Sequence, residues 1–398
     1  MNENVFDFIV VGGGIVGAST AYKLRKKYPK SKILILDKES QFASHQTGRN
    51  SGVIHSGLYY KPGSIKAKTC VLGYHQLVEF CNKQNIKFDI CGKIVVAKND
   101  NDLVQLNSIA LRGAENGLSN IRFLQKSEVK KIEPYVDVKA ALYVPQTGIV
   151  NYLEVSERLI SLAIAERGSF RLNSEVIDLN RAGGVGVIRL KDNTCFHSEK
   201  IIFCVGLQSD RIAKIDGINE KIRIVPFRGD YYKLKNESRF KVRNLIYPVP
   251  DPKFPFLGVH FTRMIDGCVE CGPNAVFSFS REGYNKTAFN YKDFYNSLSF
   301  KGTWKLFKEN FTYGLKEYDL AFSKKKYLIE LQKIIPSLEL SDLIPGRSGI
   351  RAQALDAEGR LLDDFLIRKG EIGTHVMNAP SPAATASLAI ADEILRQL

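Results

Sequence analysis

The chain has 398 residues, of which 44% are hydrophobic, 25% charged and 10% aromatic. That composition excludes a disordered chain, a collagen-like repeat and a small disulfide scaffold, and the length suggests two or three domains with an ample core. Against 42 Asp+Glu stand 57 Lys+Arg, a net charge of +15 that leaves nucleic acid, an anionic membrane surface and a small anionic substrate open as partners.

Only Met1–Phe6 precede the first structured run, so no signal or transit peptide is expected. No apolar stretch approaches the roughly 18 residues of a membrane span. Seven scattered cysteines read as the reduced thiols of a cytoplasmic protein. Cys268 and Cys271 have CxxC spacing, but on a strand side chains three apart face opposite ways. They read as unrelated thiols, and no metal site is expected.

The first element is a strand, Phe6 to Val11, rich in β-branched and aromatic residues. It runs into Gly12-Gly13-Gly14-Ile15-Val16-Gly17, then a helical pattern, then a second strand over Lys32–Leu36 ending in Asp37. Gly12 permits the tight turn, Gly14 admits a pyrophosphate, and Gly17 lets helix and strand pack closely. The helix N-terminus offers free amides to the pyrophosphate, and Asp37 can accept from a ribose hydroxyl. With strand, helix, strand and acid in register this is a dinucleotide site, for NAD or FAD alike.

A second buried strand runs from Lys200 to Val205 and ends in Gly206 before another helix. Residues 284–327 hold 13 aromatics among 44 positions. Phe300, Trp304, Phe307, Phe311 and Leu315 follow helical spacing, with Lys301, Lys305, Lys308 and Lys316 among them and Lys324–Lys326 closing the run. An amphipathic helix pair packed on its own domain is expected here, and a basic aromatic helix can also lie in a membrane interface. At the C-terminus a strand over Gly373–Asn378 precedes a last helix, with Ser381 expected as its N-cap and Pro382 in its first turn. Its free amides would stabilise negative charge on a reduced flavin. A cofactor domain assembled from three separated segments suits FAD.

The blocks Thr47-Gly-Arg-Asn-Ser51-Gly-Val-Ile-His55-Ser-Gly-Leu-Tyr59-Tyr60, Pro226-Phe-Arg-Gly-Asp230-Tyr-Tyr, Leu257-Gly-Val-His260-Phe-Thr-Arg263, Gly272-Pro-Asn274-Ala-Val, Gly346-Arg-Ser-Gly-Ile-Arg351 and Asn378-Ala-Pro-Ser-Pro-Ala-Ala carry a resemblance over essentially the whole chain. The sequence resembles the FAD-dependent oxidoreductases of the D-amino-acid oxidase superfamily, and within it the L-2-hydroxyglutarate dehydrogenase/oxidase family. The resemblance implies bound FAD and oxidation of L-2-hydroxyglutarate, a small dicarboxylate, to 2-oxoglutarate. It also implies cofactor contacts from Gly12, Gly14, Ile15, Val16, Gly17, Asp37, Lys38, Thr47, Arg49, Asn50, Ser51, Gly52, Val176, Gly206, Gly349, Asn378, Ser381 and Ala383.

Oxidising a 2-hydroxy acid needs a base for the hydroxyl proton and cations for the carboxylates. A neutral imidazole suits the first task, with His55 the first candidate and His260 the second. His45, His75, His197 and His375 read as structural. Arginine binds carboxylate bidentately. Arg351 matches the position from which related amine oxidases grip the substrate carboxylate and is expected at C1. Arg263 is expected at the distal carboxylate, with Arg228 and Tyr60 behind it.

The expected architecture is α/β (α+β overall). A Rossmann-like FAD-binding domain comprises residues 1–80, 145–220 and 330–398. An inserted antiparallel-sheet substrate domain comprises residues 81–144 and 221–329. Segment 221–333 carries 21 Lys+Arg against 11 Asp+Glu, a placement that suits a dianionic substrate or an anionic membrane. Glycerol 3-phosphate or an amino acid remains the alternative substrate. A nucleic-acid-binding flavoprotein is the alternative from another class, though no zinc finger, RNP-like strand or arginine-rich arm supports it. Oxygen and a membrane quinone both stand as electron acceptors, and a cytoplasmic protein peripheral to the inner face of the cell membrane is the expected location.

Overall fold

Val5–Val11 is the central strand of an eight-stranded sheet, and its side chains alternate between two cores. Phe8 and Val10 join Ile33 and Ile35 beneath Ala18, Ala21 and Leu24 of the helix Ile15–Lys27. Ile9 and Val11 face the other way, onto Ile188, Phe196 and Phe203. A strand buried on both faces needs helices or strands on both sides, which is the condition for a parallel sheet. Val5–Val11 accordingly pairs in parallel with Ile33–Leu36 on one side and Cys195–Phe203 on the other. Gly168–Arg171 and Gly373–Asn378 extend the parallel array outward. Antiparallel strands Val176–Ala182 and Val185–Leu190 complete one side, and Leu366–Lys369 pairs antiparallel with Gly373–Asn378. The computed structural model describes residues 4–251 and 258–398. Met1–Glu3 and Leu257, the first residue of one resemblance block, lie outside the described residues.

The second sheet has nine strands. Its longest members, Ile222–Leu234 and Leu343–Asp356, pair antiparallel along almost their whole length. From Ile222–Leu234 the order continues through Val269–Gly272, His260–Arg263, Leu245–Pro248, Lys93–Ala97, Ala140–Val144 and Arg122–Gln125. Two expectations need correcting here. Leu343–Asp356 falls within the segment 330–398 assigned to the cofactor unit, yet it is hydrogen-bonded into this sheet. The sheet is also mixed, because Leu245–Pro248 and Lys93–Ala97 run parallel. A short three-stranded sheet of Val53–Ile54, Phe88–Asp89 and Gly148–Val150 lies apart from both.

Two arginines hold the large sheets together. Arg281, fully buried, grips both carboxylate oxygens of Asp210 in the helix Ser209–Ile215 and also donates to the carbonyls of Leu207 and Ile224. Arg347 pairs with buried Glu270 at 2.9 Å and donates to the carbonyl oxygens of Gly48 and Asn50. The second clamp fixes the loop Thr47–Asn50 to the second sheet.

The aromatic stretch departs from the continuous stripe its spacing predicted. It forms four short helices, Tyr291–Leu298, Lys301–Glu309, Phe311–Phe322 and Lys324–Gln332. Asn310 ends the second of them, its side-chain amide and backbone N–H both donating to the Leu306 carbonyl. The turn there swings the stripe apart. Phe300 and Phe307 pack around Val225, Leu306 and Leu355, whereas Phe311 and Leu315 beyond the turn are exposed, as is Trp304 on the outer side of the Phe307 helix.

Candidate active site

The glycine motif performs its expected geometry. Gly12 has φ +104°, and a Cβ there would stand 2.3 Å from the Cys204 carbonyl oxygen. A Cβ on Gly17 would stand 1.9 Å from the Gly12 carbonyl oxygen, so helix and turn meet at backbone distance. The helix beginning at Ile15 has no side-chain cap on Gly14 and no acid in its first turn. Ile15 N donates to Thr47 Oγ1 at 3.0 Å, and with no carboxylate in the first turn the positive helix end faces a cavity of about 1140 Å³.

The cavity runs from this helix end to the second sheet. Of the expected cofactor residues, Gly12, Gly14, Ile15, Val16, Asp37, Lys38, Thr47, Arg49, Asn50, Ser51, Val176, Gly206, Gly349, Asn378, Ser381 and Ala383 line it. Gly17 and Gly52 are not in the lining; Gly52 closes the loop by accepting from Val150 N and donating to Asn50 Oδ1. Asp37 braces the glycine loop, accepting from Gly13 N at 2.7 Å and Glu39 N at 2.9 Å, while burial raises its pKa. Two lone pairs per oxygen leave it capacity for a ribose hydroxyl. Lys38 pairs with Glu39 and with Glu282 at 2.9 Å.

The last helix needs a correction. It spans Ala383–Arg396, and its N-cap is Pro382 rather than Ser381. Pro382 contributes the first accepting carbonyl, to Ala386 N at 3.0 Å. Ser381 lies before the helix, where its side chain meets the Tyr60 hydroxyl. The first turn carries no acid, and Pro382, Ala383 and Ala384 line the cavity.

At the far end, His55 and His260 both line the cavity. Burial pulls His55 down to about 3, with Lys93 and His260 adding to the effect. Burial likewise pulls His260 down to about 4, against its bond to the Gly258 carbonyl and with Arg351 and Lys93 nearby. Both imidazoles are neutral at physiological pH. His260 Nδ1 is 2.9 Å from the Gly258 carbonyl oxygen and must donate to it, which fixes the tautomer. The Tyr247 ring lies against that of His260, with centroids 4.1 Å apart and planes tilted by 37°.

The expected anion sites divide. Arg351 lines the cavity, with Nη1 donating to the Asn274 carbonyl at 3.1 Å. Arg263, Arg228 and Tyr60 are not in the lining. Arg263 is held by Asp89. Arg228 pairs with Asp230 at 2.9 Å and donates to the Asn285 carbonyl, so its guanidinium is consumed inside the second sheet. Sequence reasoning missed Tyr231 and Tyr247, which line the cavity, and His45, which lines it while bridging Glu39 and Tyr284. It also missed Lys93, a buried lysine at the start of an apolar strand. A lysine following a glycine reads as a solvent-facing strand end, so the sequence carried no signal for it.

An acid-free helix end over glycine turns, an acid after the second strand and a long cavity fit a dinucleotide carrying a ring system to the second sheet. The chain belongs to the FAD dependent oxidoreductases, whose family profile matches residues 7–397, and FAD is its cofactor. Within that class it is 48% identical over 389 residues to L-2-hydroxyglutarate dehydrogenase of Indibacter alkaliphilus, covering 97% of this chain and 96% of that protein. It is 41% identical over 394 residues to L-2-hydroxyglutarate dehydrogenase of Escherichia coli K12, covering 99% and 93%. The fold matches that of L-alpha-glycerophosphate oxidase from Mycoplasma pneumoniae with FAD bound, with a TM-score of 0.80 at 23% identity over 98% of this chain and 94% of that one. Among the described residues, no helix is long and apolar enough to cross a membrane.

Proposed function

We propose that this chain oxidises L-2-hydroxyglutarate to 2-oxoglutarate. The reading is carried by Arg351 standing in one cavity with two neutral histidines, in a chain whose relatives bear that activity in their names. Bound FAD supplies the acceptor for the hydride that leaves Cα. Arg351 holds the C1 carboxylate. His55 takes the hydroxyl proton as the carbonyl forms, because no described group hydrogen-bonds its ring, whereas His260 already spends Nδ1 on a backbone carbonyl. His260 lines the same cavity and can accept through Nε2. The basic excess in 221–333 draws a dianion toward this end of the molecule.

The test is anaerobic mixing of the yellow protein with L- and D-2-hydroxyglutarate, glycerol 3-phosphate and a panel of amino acids. Bleaching by L-2-hydroxyglutarate alone is expected. Bleaching by glycerol 3-phosphate or an amino acid in its place would overturn the assignment.

A second reading concerns the electron acceptor and location. Tyr291, Tyr295, Trp304, Phe311, Leu315 and Phe322 are all more than half exposed, with Lys301, Lys308, Lys325 and Lys326 exposed among them. Such a face suits peripheral docking on the anionic inner surface of the cell membrane, with a quinone rather than oxygen taking the electrons. Sedimentation with phosphatidylglycerol vesicles, lost in Trp304→Ser/Phe311→Ser, is the expected result; equal binding to neutral vesicles, or none, counts against it.

A further inference from the structure

The residues assigned to the reaction leave one buried cation without a task. Lys93 begins the strand Lys93–Ala97 and is 1% exposed. Among the described residues no carboxylate pairs with it. Its Nζ stands 4.5 Å from the centroid of the Tyr59 ring and 5.1 Å from that of Tyr247. The Tyr59 hydroxyl is buried and has no hydrogen-bond partner among the described residues. Lysines are almost never fully buried unless paired, and a desolvated donor without an acceptor is costly. Here a buried lysine without a carboxylate stands beside a phenol without an acceptor.

Neither is in the cavity lining, but both stand directly behind residues that are: Lys93 Nζ lies against the Tyr247 ring, and Tyr59 follows His55 in the same loop. Lys93 acts electrostatically on both His55 and His260, and Arg351 acts on His260 from its own strand. In the second sheet the Lys93 strand adjoins the Tyr247 strand, which adjoins the His260 strand; Arg351 lies beyond, on Leu343–Asp356. A neutral imidazole is thus flanked by one guanidinium and one ammonium. That is the pattern required by a chain with a carboxylate at each end and the reacting carbon near one of them.

We propose that Lys93 and Tyr59 form the seat of the distal carboxylate, making Lys93 the residue that selects a dicarboxylate over a monocarboxylate 2-hydroxy acid. The inference rests on the reading of L-2-hydroxyglutarate as substrate, and it transfers to Lys93 the task expected of Arg263 and Arg228. Reaching past His55 and Tyr247, the substrate carboxylate accepts from the ammonium and from the Tyr59 hydroxyl, giving the lysine an anion and the phenol its missing acceptor.

The groups that face Lys93 are Tyr59 and His55 from the loop after Val53–Ile54, Cys70 from the helix Ile65–Lys83, and Tyr247 and His260 from neighbouring strands. Lys66 acts beside it on His55 and Cys70. Burial pushes Cys70 up to about 12 and raises both tyrosines, so none of these is an anion at neutral pH. Burial pulls Lys93 itself down to about 7. The free enzyme therefore loses the ammonium as pH rises through that value, and kcat/KM for the dicarboxylate falls with it.

The test compares L-2-hydroxyglutarate with L-2-hydroxypentanoate, which carries a methyl in place of the distal carboxylate. The FAD-loaded wild type, Lys93→Met and Tyr59→Phe are each assayed across pH. Lys93→Met is expected to lower the preference for L-2-hydroxyglutarate on the order of 100-fold, mainly through KM, and to abolish the alkaline limb. Tyr59→Phe lowers the same preference about 10-fold. Replacing an uncompensated buried charge with an isosteric apolar chain leaves the melting temperature equal or higher, which certifies the fold. Should Lys93→Met fail to fold, glutarate binding, read from the flavin spectrum of the wild type and of Tyr59→Phe, decides. Weakening above pH 7 supports the seat, and pH-independent binding overturns it. A preference unchanged in folded Lys93→Met also overturns the seat while leaving the proposed substrate intact. A wild type not reduced by L-2-hydroxyglutarate overturns the substrate instead, and glutarate binding still tests the seat.

Discussion

The two ends of the cavity are built on opposite economies. At the cofactor end, one contiguous stretch from Val5 to Asp37 supplies strand, turn, helix and acid, and the turn is packed to backbone contact. At the end proposed for the substrate, His55, Tyr247, His260 and Arg351, with Lys93 behind them, come from a loop and four strands of separate chain regions. There the packing leaves polar groups in waiting: two imidazoles held neutral, an ammonium without an anion and a phenol without an acceptor. The difference shows what limits each end. The first tolerates no added volume, and the second tolerates volume but depends on each functional group.

The sharpest way to test that contrast is to add volume where there is none. Gly17→Val pushes side-chain atoms into the Gly12 carbonyl and is expected to destabilise the unit by more than about 4 kcal/mol. The measurements are the melting temperature and the flavin content, and a stable yellow protein would break the comparison.

At the other end, His55→Asn is expected to fold, hold FAD and melt like the wild type while kcat falls about 10³-fold. With His55 and His260 drawn down to about 3 and about 4, the base is lost only as pH falls through that range. The kcat/KM profile should therefore stay flat from pH 6.5 down to about 4. An acid limb near 6.5 would mean that an ordinary, solvated histidine does the work.

The smallest expected effect lies between the two ends. Ala383→Glu sets a carboxylate at the uncapped, acid-free start of the helix Ala383–Arg396, facing the cavity. About 1 kcal/mol of like-charge repulsion corresponds to a flavin midpoint potential lower by roughly 20 mV. Potentiometric titration that finds no shift would remove this helix end from the list of groups stabilising reduced flavin.

The same contrast explains what could be read from the chain alone. Gly12, Gly17 and Asp37 were legible because backbone sterics leave so few residues able to occupy those places. His55, His260 and Arg351 were legible through blocks of resemblance, and the structure brings all three to the cavity. Arg263 and Arg228 were misplaced because a guanidinium announces affinity for a carboxylate without saying whose. Asp89 and Asp230 claim them. Ser381 failed as a cap because the helix begins one residue later than local preference suggested, with Pro382 in the cap position rather than in the first turn. Lys93 was invisible because its meaning lies in strand order, and strand order is set by pairings between segments far apart in sequence.

The interleaving of the two sheets bears on how the chain comes to be folded at all. The helix Ala383–Arg396 packs between Ile15–Lys27 and Ile65–Lys83, with Asp392 bonded to Lys23 across a sequence separation of 369. During synthesis the apolar side of the first sheet, Phe8, Val10 and Ile35, waits for Leu388 and Ile390 before its core is closed. Pairings of such long range are slow to find, and they leave nascent chains with greasy, unshielded surface. Efficient production should then depend on what shields the N-terminal half until the last helix emerges, and a chain truncated before residue 383 should be recovered as aggregate rather than as a smaller enzyme.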